Sequence, residues 1–134
     1  MRLLPIAALQ VAPVAWDPTA TLKSFVDQVR AVRDTFPDAW GKPPSRSRLM
    51  HSAGIRAVGR LMDKILATVD TRKPSAEKQV REDLALIAPY CRWTEGNWEG
   101  LGGLRWDEVQ NVPRHIRELS SFLVRVHLQV RRAA

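Results

Sequence analysis

Apolar residues recur along this chain at intervals of three and four, and proline, glycine or a capping residue brackets each run. Leu22, Phe25, Val26, Val29, Val32 and Phe36 form the first stripe, with Asp17 placed to cap it, Pro18 in its first turn and Pro37 beyond its end. A wider stripe follows: Leu49, Met50, Ala53, Ala57, Val58, Leu61, Met62, Ile65 and Leu66. Val80, Leu84 and Ile87 make a third before Pro89, with Glu77 in its first turn. Ile116, Leu119, Leu123, Val126 and Val130 make a fourth, with Phe122 beside it. The spacing predicts helices over roughly 20–36, 47–69, 75–88 and 112–131, sharing one core. Leu22, Val26, Val58, Leu61, Met62, Leu84, Leu119 and Leu123 are its expected members.

Two stretches break the period. YCRWTEGNWEGLGGLRW is rich in tryptophan and glycine, which predicts a small hairpin or ordered loop between the third and fourth helices. At least two of Trp93, Trp98 and Trp106 should be largely buried there; indoles facing solvent beside arginines would instead favour base stacking. Residues 1–15 are apolar but broken by Pro5 and Pro13, and read as a strand or an arm packed on the body. The expected architecture is therefore mainly α: an N-terminal arm over 1–15 and one four-helix domain over 16–134 with a short Trp/Gly-rich insertion.

Composition narrows the classes. One cysteine, Cys91, excludes an internal disulfide and, with His51, His115 and His127 at no ligand spacing, argues against a metal site. No apolar run reaches the roughly 18–20 residues that span a bilayer, and the N-terminus lacks a convincing cleavage site, so a cytoplasmic protein without membrane contact is expected. No set of nucleophile, base and acid can be assembled, and no cofactor motif is present: GIRAVG spaces its glycines like a phosphate loop but lacks the Lys-Ser/Thr pair. Ser47 and His51 lie one turn apart with no third partner, and read as a capping serine and a satisfied histidine. Lysine and arginine number 21 against 14 acids, a balance of +7 that draws polyanions: nucleic acid, or an acidic protein.

The placement of those cations carries more than their number. Lys42, Arg46 and Arg48 crowd the expected start of the second helix, and Arg114, His115 and Arg117 the start of the fourth, where the helix dipole favours anions. Either carboxylates such as Asp38, Glu95, Glu99, Asp107 or Glu108 fold over them, or an external anion binds. Lys42, Arg46, Ser47, Arg48, His51, Arg114, His115 and Arg117 are the candidate anion-binding residues. Arg46, Arg48, Arg114 and Arg117, with Lys42 nearby, are expected to converge on one site. Gly54 and Gly59, each costing about 1 kcal/mol inside a helix, are expected where another backbone or helix comes close.

FPDAWGKPPSRSRLMHSAGIRAVGRLMDKI, CRWTEGNWEGLG and WDEVQNVPRHIRELSSFLVR, in that order, resemble the C-terminal portion of DGQHR-domain proteins. That family includes proteins associated with DNA phosphorothioate modification and its transcriptional control, and with mobile or defence loci. The DGQHR motif itself is absent, so the resemblance implies a truncated, split or free-standing C-terminal module. It also implies that SRLMHSAGI and QNVPRHIREL are family features. The expectation is a non-catalytic, DNA-associated accessory or regulatory module that contacts phosphate. The alternative is a protein-interaction or self-association module with a basic face.

Overall fold

The computed structural model describes residues 18–133. The expected arm over 1–15, the Asp17 cap and Trp16 lie outside them. Among the described residues four α-helices carry the fold: α1 (Pro18–Thr35), α2 (Ser52–Ala67), α3 (Ala76–Ile87) and α4 (Pro113–Ala133). The mainly helical architecture read from the periodicity is what forms. α2 lies along α4, and α3 bridges α1 and α4. The core joins Ala31, Val32 and Phe36 to Ala57, Val58, Leu61 and Ile65, and these to Leu84, Ile87, Leu119, Leu123 and Val126.

Of the expected core members, Val58, Leu61, Met62, Leu84, Leu119 and Leu123 are buried, and Val26 is half-buried. Leu22 is the exception at 63% exposed, with Phe25 at 61%. The cause is the side of α1 turned inward: Ser24, Asp27 and Gln28, with Lys23, line a groove against Thr71, Pro74 and Glu77. The apolar stripe is buried only in the second half of α1, at Ala31, Val32 and, just beyond it, Phe36.

The second helix begins five residues later than its spacing suggests. Pro43 to His51 instead fold as successive turns, with Arg46 and Ser47 both donating their amides to the Pro43 carbonyl. Ser47, Arg48 and Leu49 point inward, so the loop fills core space itself. His51 caps α2, its Nδ1 accepting the Ala53 amide at 3.2 Å. The loop crosses the first turn so closely that a Cβ at Gly54 would lie 1.8 Å from the Arg48 carbonyl oxygen. Glycine is required there. At Gly59 nothing lies within 4 Å of that position, so close approach does not explain it.

The Trp/Gly segment is an ordered hairpin. β1 (Asn97–Trp98) pairs antiparallel with β2 (Leu104–Arg105), and Gly102 and Gly103 supply the positive φ its turn needs. Trp93 and Trp98 are buried while Trp106 is half-buried, which meets the expectation of two inward indoles. Phe36, Trp93, Trp98 and Phe122 stack edge to face at centroid distances of 6.0, 5.0 and 6.0 Å, tying the end of α1 through the hairpin to α4.

α3 and α4 are also joined by a buried polar knot. Asp83, 2% exposed, meets His127 Nε2 at 3.0 Å and accepts from Arg131 Nη1 at 2.9 Å and Gln79 Nε2 at 2.8 Å. Burial alone would push this carboxyl up. The hydrogen bonds from His127, Arg131 and Gln79 outweigh it and hold Asp83 below the usual carboxylate range.

Candidate nucleic-acid interface

The loops that feed α2 and α4 are held side by side, and Arg48 holds them. Its guanidinium donates to the carbonyls of Val109 at 2.9 Å, Pro44 at 2.7 Å and Asp107 at 2.5 Å, while its amide donates to Trp93. The charge also sits 5.9 Å from the Trp106 ring centroid. An arginine 8% exposed with three carbonyl acceptors is a structural clamp, so Arg48 is no open anion ligand. Ser47 is fully buried and its hydroxyl has no hydrogen-bond partner, so no Ser47–His51 couple forms.

Both histidines serve backbone amides. His51 takes the Ala53 amide, and His115 Nδ1 takes the Gln110 amide at 2.9 Å. Each ring must keep an unprotonated nitrogen to accept. Desolvation, reinforced by the Arg48 charge, lowers the His51 pKa and keeps it neutral. The Ala53 amide at the start of α2 is thus already taken, as is the Gln110 amide in the loop that precedes α4.

The remaining cations divide rather than converge. Arg114 pairs with Glu118 at 3.1 Å. Lys42 and Arg46 line one shallow groove with Asp38, Glu95, Thr94 and Trp106. Arg117 lines another, between α2 and α4. The helix starts are adjacent, as a shared site requires, but their cations serve separate surfaces.

That second groove is the more basic surface. It is a furrow of about 630 Å³ with Arg60 and Lys64 on the α2 side, Arg117 and Arg125 on the α4 side, and Asp63 as its acid. Ala67, Val124 and Leu128 are its apolar lining. Arg56, Arg60, Lys64 and Arg117 make no ion pair among the described residues. Arg125 rests over Phe122 at 5.9 Å, which leaves its charge at the surface. Sequence reasoning concentrated on helix ends and passed over this face. The signal was the i, i+4, i+8 row of Arg56, Arg60 and Lys64.

Other chemistry is sparse. Cys91 sits where burial pushes its thiol up to about 12, so it stays protonated and unreactive at neutral pH. Among the described residues no group of three His, Cys, Asp or Glu side chains could hold a metal ion, and no helix is long and apolar enough to cross a membrane. No family model, no curated protein and no solved structure matches the chain.

Proposed function

We propose that this chain is a non-catalytic accessory or regulatory module that contacts DNA through its phosphates. The DGQHR resemblance supplies the setting, DNA modification or defence. One observation supports the reading above others: the cations of the α2–α4 furrow face solvent and make no ion pair among the described residues, whereas Arg48 is consumed by carbonyls and Arg114 by Glu118. Uncompensated charge on one face is what phosphate binding needs, because each neutralised phosphate releases a counterion. The contact thus moves from the helix starts to the flanks of α2 and α4, keeping Arg117 and leaving Lys42 and Arg46 at the margin.

Binding of a labelled duplex at increasing salt tests this. If Arg60, Lys64, Arg117 and Arg125 each meet a phosphate, log affinity should fall against log salt with a slope near −3.6, about −0.9 per contact. Binding that is absent at low salt, or insensitive to salt, would remove DNA as the partner.

A second reading has its own support. The furrow's apolar lining of Ala67, Val124 and Leu128, with Leu128 exposed, suits the apolar stripe of an acidic amphipathic helix from a partner protein. Such a complex would lose heat capacity on binding in proportion to the apolar area covered, which phosphate contact alone does not.

A further inference from the structure

We infer that the α2–α4 face takes double-stranded nucleic acid across both sugar-phosphate strands at once, one strand along each helix, without stacking on bases. The inference rests on the DNA reading above and adds the form of nucleic acid and its orientation.

Three observations carry it. The furrow cations stand in two rows on opposite banks, Arg60 and Lys64 on α2, Arg117 and Arg125 on α4. Arg56 extends the first row by one turn and Arg132 the second by two, and both are exposed. Packed helix axes lie about 8–10 Å apart, and long side chains reach outward from each. The rows are therefore separated on the order of a duplex groove, about 6 Å across for the minor and 12 Å for the major. A single strand has one backbone and could satisfy only one bank.

The second observation concerns aromatic rings. Single-strand binders need accessible rings on which bases stack. Here Trp93, Trp98 and Phe122 are locked edge to face inside the fold, and among the described residues no aromatic side chain lines the furrow. Trp106, the half-buried indole, lies in the other groove with Lys42 and Arg46. The third is the donor set. Two arginines on one bank, an arginine and a lysine on the other, and Ser121 beside them are phosphate donors, and among the described residues no Asn or Gln lines the furrow to read adenine. Affinity should follow backbone geometry rather than base sequence.

The experiment compares a duplex of about 20 base pairs with a single strand of the same length, in wild type and in Arg60→Gln, Arg117→Gln and the double variant. Arg60 and Arg117 are exposed and make no ion pair among the described residues, so each variant should keep the wild-type circular dichroism spectrum. The expected result is tighter binding to duplex, little change on permuting its sequence, and a duplex salt slope flattened by about 0.9 in each single variant and about 1.8 in the double. Hydroxyl-radical footprints should protect both strands across one groove. A single strand bound as tightly as the duplex, or protection confined to one strand, overturns the inference while leaving DNA binding intact. Failure to bind either form, with binding of an acidic helical peptide instead, overturns the DNA reading as well.

Discussion

The two helix pairs share one core but handle charge in opposite ways. α1 and α3 together hold five cations and five acids, and most are engaged: Lys23 with Asp27, Arg33 and Arg81 with Asp34, Arg81 also with Glu77. α2 and α4 hold eight cations and two acids, and their one ion pair at the surface within the pair is Arg114–Glu118. A net charge of +7 is therefore almost wholly the property of one side of the molecule. Composition says that a chain is basic; only the fold says which cations are free. Pairing on α1 and α3 adds little stability, since exposed pairs are weak. Its effect is to leave that side electrostatically quiet.

Asp83 sits where the two sides meet, and replacing it is the severest way to break the contrast. Asp83→Ala removes the shared acceptor of His127, Arg131 and Gln79 and leaves the fully buried His127 ring without its partner, although Arg131 can still reach solvent. It should cost about 3–5 kcal/mol in urea unfolding. Loss of less than about 1 kcal/mol would mean that the knot is bridged by water rather than by the carboxylate.

The two glycines of α2 give the next largest effects, with opposite signs. Gly54→Ala drives a methyl group into the Arg48 carbonyl and should destabilise by about 1–3 kcal/mol or more, loosening the clamp between the two loops. Gly59→Ala meets nothing and should stabilise α2 by up to about 1 kcal/mol. Equal effects at the two sites, read from thermal midpoints, would remove the case for close approach at Gly54.

Acid should act in two stages. The folded-state pKa of His51 lies below its ordinary 6.5, so the stability it contributes is complete above that pH and is lost as pH falls through the depressed value. Asp83 is likewise depressed, so its contribution holds above its ordinary 3.8 and is lost at lower pH. His51→Asn keeps an acceptor for the Ala53 amide and should erase the upper stage while sparing the lower. Unfolding midpoints followed from pH 8 to 3 would show a single stage if His51 does not titrate with folding.

The smallest effect sharpens the contrast most directly. Arg81→Gln removes the same formal charge as Arg60→Gln, but from the paired side. It should leave both stability and any DNA affinity within experimental scatter, whereas on the proposed function Arg60→Gln should weaken DNA binding. Equal losses of affinity would mean that net charge alone governs binding, and that its location does not matter.

Much of this molecule could be read from periodicity. The stripes of α2, α3 and α4 fall where Leu61, Leu84 and Leu119 are buried, and the glycine-tryptophan segment forms the hairpin its turn residues permit. The start of α2 could not, because Leu49 and Met50 continue a helical spacing while the loop that carries them turns Ser47 and Arg48 inward. Its N-cap is a histidine, which helix-start rules rank below Ser, Asp and Asn. The role of Arg48 depends on carbonyls 59 and 61 residues away, and the Asp83–His127 pair spans 44 residues. No local pattern encodes such contacts. Dipole reasoning singled out two helix starts; at the first His51 caps the Ala53 amide and Arg48 is taken by carbonyls, and before the second His115 serves the Gln110 amide in the loop.

The edge-to-face ladder also gives the protein a spectroscopic identity. Trp93 and Trp98, with centroids 5.0 Å apart and planes at 74°, are close enough for their electronic transitions to couple. Coupled indoles give paired circular dichroism bands of opposite sign that report their mutual orientation and not the helix content. Both rings are buried, so their emission should lie toward the blue and shift red on exposure. A Cβ at Gly100 would fall 1.9 Å from the Phe122 ring, so the hairpin is seated on α4 with no room to slide. Undocking of the hairpin would therefore extinguish the couplet while the amide bands persist, separating local opening from global unfolding in one spectrum.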